Sequence, residues 1–167
     1  MIRYLVKYGV MFVSLVLVQV LILNQVQFSG FFNPYIYVLF ILLLPTNSPK
    51  YAILLLGFIL GFVIDIFTNT LGVHSAATVF IAFIRPGILR LISNREDDRG
   101  DFPGLKQNSP GWFITYVVMM VFIHHFILFY LEVYTFSNFF TTFYRIVLST
   151  IFSSVVIVLS QLLVFKE

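Results

Sequence analysis

Six runs of apolar residues, separated by short polar stretches, occupy most of the chain. A helix that crosses the apolar core of a bilayer needs about 20 residues, and most of these runs are close to that length. The second run is shorter and has Pro34 in its first turn, so it could also be a re-entrant or interfacial segment. The fourth run is interrupted by Arg85-Pro86-Gly87. The pattern predicts helices over residues 4–23, 31–44, 51–68, 71–91, 112–131 and 143–165.

Composition indicates a membrane protein without a separate soluble domain. Hydrophobic residues make up 60% of the chain and charged residues 10%, whereas soluble domains carry about 25% charged residues. We therefore predict a single all-α integral membrane domain over residues 1–167, with about six transmembrane helices. The start resembles a signal peptide, but no small-x-small cleavage site follows, so we expect a retained helix. Tyrosines and Trp112 lie near the predicted span ends, as in aromatic belts.

The basic residues predict how the helices are oriented. Nine of the ten Lys and Arg residues fall on one side of the predicted arrangement, and Arg145 is the exception. Cytoplasmic loops are enriched in Lys and Arg, so both termini are predicted to be cytoplasmic. The basic residues that raise the pI then act as topology signals and as contacts for lipid headgroups. No nucleic-acid partner is expected. The same distribution requires an even number of crossings, which favours counting residues 31–44 as a span.

One face of the third run is small and polar. Gly57, Gly61 and Asp65 follow one another at four-residue steps and share an arc of about 80° with Thr68. Two glycines at this spacing permit close helix approach, and a carboxylate is costly in lipid. This face should therefore lie against protein. Packing within the chain is the more common explanation, and contact with a partner or a functional polar site is the alternative.

His74 lies early in the fourth run, just after the short turn at Asn69-Thr70. Asp65 and His74 are therefore expected at similar depth on antiparallel neighbours, and a carboxylate–imidazole pair is predicted. His74, Thr78 and Arg85 share one helical face. The alternative is that His74 lies at the interface and faces lipid headgroups.

Other polar residues of the last two runs have mainly structural interpretations. His124 and His125 point about 100° apart, whereas metal sites on helices prefer spacings of three or four. We expect hydrogen bonds across the bundle there, not a metal. Arg145 could pair with Glu132 or reach the headgroups. A polar stripe on the sixth run predicts tight packing and comprises Thr142, Arg145, Ser149, Ser153 and Ser160.

The sequence offers little that is typical of an enzyme. It contains no cysteine, and we find no phosphate-binding glycine loop, Gly-x-Ser-x-Gly elbow or His-Glu-x-x-His motif. We therefore expect no catalytic residue, no cofactor and no metal. The mixed-charge segment 93–101 is expected to be a solvated loop, with docking of a cytoplasmic partner as the sharper alternative.

Two stretches carry a family resemblance. LGFILGFVID, at residues 56–65, and LGVHSAA, at residues 71–77, resemble the central helical hairpin of the rod shape-determining protein MreD family. The resemblance is specific over about residues 45–95, and the Asn33-Pro34 and Leu44-Pro45 pairs are also similar. It implies six helices, cytoplasmic termini and a fold similar to the substrate-binding subunits of energy-coupling-factor vitamin transporters. Our candidate helix-packing or partner face comprises Gly57, Gly61, Asp65, Gly72 and His74, with Arg85, Glu132 and Arg145 as secondary positions.

The resemblance implies a function that the residue pattern alone does not. Members of this family are non-enzymatic scaffolds of the cell-elongation peptidoglycan synthesis machinery in the bacterial cytoplasmic membrane. They bind MreC and are linked to MreB, to the polymerase RodA and to a class B penicillin-binding transpeptidase, and so maintain rod shape. The alternative is a substrate-binding subunit of a vitamin-type transporter, which needs polar groups converging on an outward-facing pocket. We favour the scaffold because few outer polar residues are available. They are Asp65, Asn69, His74, Glu132 and Arg145.

Overall fold

A computed structural model describes residues 2–25, 33–93, 101–134 and 138–164. All regular structure in these ranges is helical. The described helices are α1 (Ile2–Leu21, followed by a 3-10 turn, Leu23–Gln25), α2 (Leu39–Leu43), α3 (Lys50–Thr68), α4 (Val73–Ile92), α5 (Pro110–Val133) and α6 (Phe139–Val164). Five of them, all but the short α2, are long and apolar enough to cross a membrane. The fold is therefore that of a polytopic all-α membrane protein.

Local sequence explains where the long helices begin and end. α5 starts with Ser109 as its N-cap, whose side chain accepts from the Trp112 amide, and Pro110 occupies the first helical position. α3 ends at Asn69, which adopts the left-handed conformation that asparagine tolerates better than most residues. The single helix predicted over residues 71–91 is confirmed despite the break in the apolar run at Arg85-Pro86-Gly87, because α4 continues through Pro86 to Ile92. Prolines are tolerated in such helices where neighbouring groups satisfy the freed backbone.

The long helices form a bundle with two distinct ends, and α3, α4, α5 and α6 alternate in direction. α3 packs on α4, α4 on α5 and α5 on α6, while α1 packs on α3 and α2. We call the end with the α3–α4 turn, residues 69–72, the hairpin end. The opposite end, where α1 begins and α6 ends, we call the basic end, since Lys7, Lys50, Arg90 and Lys106 are exposed there.

The predicted helix over residues 31–44 is wrong. Residues 31 and 32 lie outside the described ranges, residues 33–36 have no helical structure, and only Leu39–Leu43 is helical. Asn33 nevertheless lines a cavity with Thr68 and Thr70 at the hairpin end, and Leu43 lies beside Gly104 at the basic end. The segment therefore passes between the two ends. A short segment suffices because extended chain rises about 3.3 Å per residue against 1.5 Å in a helix.

Side chains of the long helices satisfy the backbone of this segment near the hairpin end. Non-helical backbone at membrane depth is tolerated only where protein or a water-filled cavity surrounds it, and residues 34–42 are all buried. The Gln19 amide donates to the Pro34 carbonyl (3.1 Å) and accepts from the Ile36 N–H (2.8 Å). The Tyr35 N–H donates to the Ser153 hydroxyl, 2.9 Å away. Helices α1 and α6 therefore hold this strand-like stretch from two sides.

A second set of side chains holds the segment near the basic end. The Arg85 guanidinium donates to the carbonyls of Leu42 and Leu44. The Tyr116 hydroxyl also donates to the Leu42 carbonyl, at 3.2 Å, and accepts from Arg85 Nε at 3.1 Å. The last carbonyls of α2 thus have donors from α4 and α5, which explains why a fully buried arginine is stable there.

Candidate functional site

Asp65 caps the neighbouring helix at the hairpin end. Its carboxylate accepts from the backbone N–H groups of His74 (3.0 Å) and Ser75 (2.9 Å), and from the hydroxyls of Thr70 (2.5 Å) and Ser75 (2.6 Å). The first N–H groups of a helix have no partner within it. The N-cap of α4 is Gly72, which has no side chain to supply one. The N-terminus of α4 therefore receives its acceptor from Asp65 on α3. The negative charge of Asp65 is also favourable there.

The predicted carboxylate–imidazole pair between Asp65 and His74 is wrong. Asp65 reaches His74 through its backbone N–H, while the imidazole Nδ1 lies 2.8 Å from the Tyr37 hydroxyl. The imidazole points away because His74 is the second residue of α4, where only the backbone faces the α3 carboxylate. His74 is 5% exposed, so the alternative in which it faces headgroups does not hold either.

The glycine face of α3 packs against α4. A Cβ on Gly61 would lie 2.6 Å from the His74 carbonyl oxygen and would overlap Ser75 Cα, so only glycine fits there. A Cβ on Gly57 would lie 3.1 Å from Ala82 Cβ, a tighter but less severe approach. The close approach lets the Thr78 hydroxyl reach the Gly57 carbonyl oxygen, at 2.8 Å. The predicted close-packing face is therefore present, and its partner is α4 of the same chain.

Gly72 does not belong to this packing face. A Cβ at Gly72 would meet nothing within 4 Å, and the residue is exposed. Its φ of 82° is in the left-handed region that favours glycine. Gly72 therefore serves the turn that brings α4 back along α3, and its place in the candidate partner face is corrected to a conformational role.

A hydrogen-bonded cluster of His and Tyr fills the bundle below the hairpin end. The Tyr37 hydroxyl lies between His74 Nδ1 (2.8 Å) and His124 Nε2 (3.0 Å), so it can donate to one and accept from the other. The ring of Tyr35 packs 5.3 Å from the ring of His125. Both tyrosines are buried, which corrects their assignment to an interface belt. Residues 33–44 thus contribute to the site as well as to the fold.

The expected hydrogen bonds of the paired histidines are confirmed. His124 bonds to Tyr37, and His125 Nδ1 lies 3.1 Å from the Thr150 hydroxyl of α6. His124 Nδ1 and His125 Nε2 are buried without a partner among the described residues. In the described ranges, no three His, Cys, Asp or Glu side chains are arranged to hold a metal ion. The polar stripe of α6 also faces the interior over most of its length, since Thr142, Ser149 and Ser153 are buried.

Arg85 is one of the nine basic residues assigned to one side of the arrangement, but its charge does not lie at that surface. It is 0% exposed and lies inside the bundle, bonded to the backbone of residues 42 and 44. It does share an inward face of α4 with His74 and Thr78, as expected. Its charge is therefore used to hold α2, and it makes no contribution to the exposed basic surface.

Glu132 and Arg145 pair at the hairpin end. Arg145 Nη1 lies 3.0 Å from Glu132 Oε2, and Arg145 Cζ lies 4.2 Å from the centroid of the Phe129 ring. The pair was one of two predicted arrangements, and it is the one observed. Both side chains line a cavity of about 280 Å³ together with Asn33, Tyr35 and His74. Polar groups from four parts of the chain, the segment 33–44 and helices α4, α5 and α6, thus converge at the hairpin end.

Several predicted features fall outside the described residues. Arg95, Arg99 and Lys166 cannot be placed, so the predicted side for these three remains a prediction. The same holds for most of the candidate docking segment 93–101. Its last residue, Asp101, accepts from Thr46 through its carbonyl oxygen.

Residues that sequence analysis did not single out hold much of the site. Gln19, Ser75 and Tyr116 each form buried hydrogen bonds that join two or more elements. For Gln19 a signal was available, because a lone amide within an apolar span needs partners. For Ser75 and Tyr116 none was available, because their partners are distant in sequence.

Comparison of the chain with protein-family models, with curated proteins and with solved structures gave no match.

Proposed function

We propose that this chain is a non-enzymatic membrane scaffold of the peptidoglycan synthesis machinery for cell elongation, with an MreC-like membrane protein as its direct partner. The observation that supports the proposal most is the α3–α4 hairpin. The stretches that resemble the MreD family supply its close glycine contact at Gly61 and its cap at Asp65. The family resemblance therefore falls on the residues that determine this substructure.

The use of the buried polar groups also favours a scaffold. Asp65, Thr78 and Arg85 bond to backbone groups of neighbouring elements, which stabilises the bundle. A scaffold needs a rigid body and an outer surface for its partner. The outward face of α3 offers such a surface, because Phe58 and Phe62 stack at 5.8 Å and are about half exposed.

The proposal includes an orientation and a location. The basic end would lie in the cytoplasm and the hairpin end on the outer side of a bacterial cytoplasmic membrane, in accordance with the positive-inside rule. An MreC-like protein would then pack a transmembrane helix on α3. MreB, a RodA-type polymerase and a class B penicillin-binding transpeptidase would join through that assembly.

Co-purification tests the scaffold proposal. The tagged chain is co-expressed in a bacterial host with an MreC-like protein, purified in mild detergent, and the ratio of the two proteins is measured by mass spectrometry. Phe58→Ala with Phe62→Ala should lower the retained partner several-fold, because aromatic side chains dominate the energetics of interfaces. Phe83→Ala is the matched control, since Phe83 is 71% exposed on α4. Failure of the unaltered chain to retain the MreC-like protein would overturn the proposal.

The cavity at the hairpin end favours a second candidate, the substrate-binding subunit of a small-molecule transporter. Its lining by Asn33, His74, Glu132 and Arg145 offers hydrogen-bond donors and acceptors from several elements, which small-molecule sites need. The same purification separates the two functions. A stoichiometric ATPase module in place of wall-synthesis proteins would support the transporter.

A further inference from the structure

A groove lies beside α1 at the basic end of the bundle. It has a volume of about 510 Å³, and α1, α2, the 101–109 loop and the end of α6 form its walls. Apolar side chains line its length, including Met11, Leu15, Leu39 and Leu43. From Lys7 to Leu15 it extends roughly 12 Å along α1, at 1.5 Å per residue. It lies at the opposite end from the candidate site and is independent of the proposed function.

Two lysines lie at the mouth of the groove. Lys7 and Lys106 both line it, and both are exposed. The Lys7 ammonium lies 5.5 Å from the centroid of the Phe102 ring, a cation–π contact that draws it towards the loop bearing Lys106. Neither lysine pairs with a carboxylate within the described residues, where the only ion pair is Arg145–Glu132. Among the described residues, the mouth therefore carries a positive charge that no carboxylate pairs with.

The wall of the groove also contains an unused hydrogen-bond acceptor. Gln161 lines the groove and is 4% exposed, and its side-chain carbonyl oxygen has no partner among the described residues. A buried polar atom without a partner is unfavourable, so a donor from outside the chain would be favourable there. Charge at the mouth, an acceptor in the wall and an apolar length match the three kinds of group that a phospholipid with a hydroxylated headgroup presents.

We propose that this groove binds one anionic glycerophospholipid of the leaflet at the basic end, with its phosphate between Lys7 and Lys106 and one acyl chain along α1. A headgroup hydroxyl, as in phosphatidylglycerol, would donate to Gln161. The charge at the mouth argues for an anionic lipid, because a purely apolar transmembrane helix would leave Lys7 and Lys106 without a counter-charge. An acyl chain is narrow enough to enter.

Native mass spectrometry of the full chain tests this site. The protein is equilibrated in detergent with equal amounts of phosphatidylglycerol and phosphatidylcholine, and the bound lipids are counted. The unaltered chain should retain one phosphatidylglycerol in preference to phosphatidylcholine. Lys7→Gln with Lys106→Gln should reduce that retention by roughly five-fold for each lysine, as for basic residues at an anionic surface.

Lys50→Gln with Arg90→Gln is the matched control. It removes the same charge from the same end, but Lys50 and Arg90 line a different cavity. The retention of phosphatidylglycerol should therefore stay unchanged. Ser14→Trp, at an exposed position, should block the path of the acyl chain. Gln161→Leu should reduce the retention of phosphatidylglycerol more than that of phosphatidic acid, which lacks the headgroup hydroxyls. Equal losses from the two double variants would show general charge attraction and overturn the site. So would an absence of preference between the lipids in the unaltered chain.

Discussion

At the scale of single residues, Asp65 supplies what the N-terminus of α4 lacks. The turn needs Gly72 for its left-handed conformation, and a glycine cannot cap a helix with its side chain. A carboxylate on the neighbouring helix resolves this conflict by accepting from two backbone N–H groups and two hydroxyls. The negative charge also suits the N-terminal end of the helix dipole.

We expect Asp65→Ala to lower the free energy of unfolding by about 1–3 kcal/mol, because it leaves buried donors unsatisfied. Asp65→Asn should cost less, since the amide has a similar shape and keeps one acceptor oxygen. Denaturant titration in mixed micelles measures both changes. Equal stability of the alanine variant and the unaltered chain would contradict the capping role.

A double-mutant cycle identifies the partner of Asp65. Ser75→Ala should couple to Asp65→Ala, because the Ser75 hydroxyl bonds to the carboxylate at 2.6 Å. His74→Ala should be close to additive with Asp65→Ala, since the carboxylate contacts only the His74 backbone, which alanine retains. Strong coupling to His74 with none to Ser75 would restore the carboxylate–imidazole pair and reject the geometry described above.

Sequence reasoning could place Asp65 but could not identify its partners. The cost of a carboxylate in lipid and its arc with Gly57 and Gly61 correctly predicted an inward position. The direction of the His74 ring depends on whether backbone or side chain faces α3 at the first turn of α4, and on Tyr37. That tyrosine belongs to a segment whose conformation the hydrophobic pattern did not predict.

At the scale of elements, the α3–α4 hairpin depends on one glycine more than on the other. Gly61 faces backbone atoms of α4 that cannot move independently, whereas Gly57 faces the Ala82 methyl group and the Thr78 carbonyl. The GxxxG pattern predicts both glycines as equivalent. Only the contacts in the packed interface show that a side chain is less tolerable at Gly61 than at Gly57.

Gly61→Ala should therefore destabilise the protein more than Gly57→Ala does. Overpacking costs about 1–3 kcal/mol, and Gly61→Ala should fall at or above the upper end of that range. Thermal unfolding in detergent, monitored as the loss of soluble protein, gives the order of stabilities. Gly9→Ala and Gly111→Ala are controls, because a Cβ at either position meets nothing within 4 Å. Equal effects at Gly57 and Gly61 would contradict this interface.

The segment 33–44 depends on Arg85 in a similar way. Arg85→Leu removes donors from the Leu42 and Leu44 carbonyls and should destabilise the protein by about 1–3 kcal/mol for each carbonyl left unsatisfied. Tyr116 still serves Leu42, so the main loss is at Leu44. Arg85→Lys should restore part of it by retaining a cationic donor. Protection of the 33–44 backbone amides in hydrogen exchange measures the effect, and unchanged protection in Arg85→Leu would contradict it.

The length of an apolar run predicts a helix well when the helix satisfies its own backbone. This was true for the five long helices, whose observed bounds agree closely with the prediction. It failed for residues 33–44, whose backbone is satisfied by Gln19, Arg85 and Ser153 instead. A pattern confined to the run itself contains no information about partners so far away.

At the scale of the whole molecule, the bundle places the Ile2 end of α1 and the Val164 end of α6 at the same end. This follows from the groove that Lys7, Ser160 and Gln161 line together. Five long helices give this arrangement only because residues 33–44 add a sixth passage. The even number of passages predicted from the basic residues thus agrees with the fold, although the second passage is not a helical span.

The absence of cysteine makes the orientation directly measurable. We expect Leu71→Cys, at an exposed position of the hairpin end, to react with an impermeant maleimide added to intact spheroplasts. Asn47→Cys, exposed near the basic end, should react only after the membrane is opened. The unaltered chain is the blank. Labelling in the reverse order would place the basic end outside and reject the positive-inside assignment.

The passage of residues 33–44 through the core also sets an order for biogenesis. The hydrogen bond from Tyr35 to Ser153 joins residues 118 positions apart. At a synthesis rate of 5–20 residues per second, the acceptor follows the donor by roughly 6–24 s. During that interval the Tyr35 N–H has no Ser153 acceptor, so we expect the segment to take its final place only after α6 has been made. A truncated chain that ends before α6 would keep residues 33–44 exposed. We expect membrane proteases to degrade such a chain.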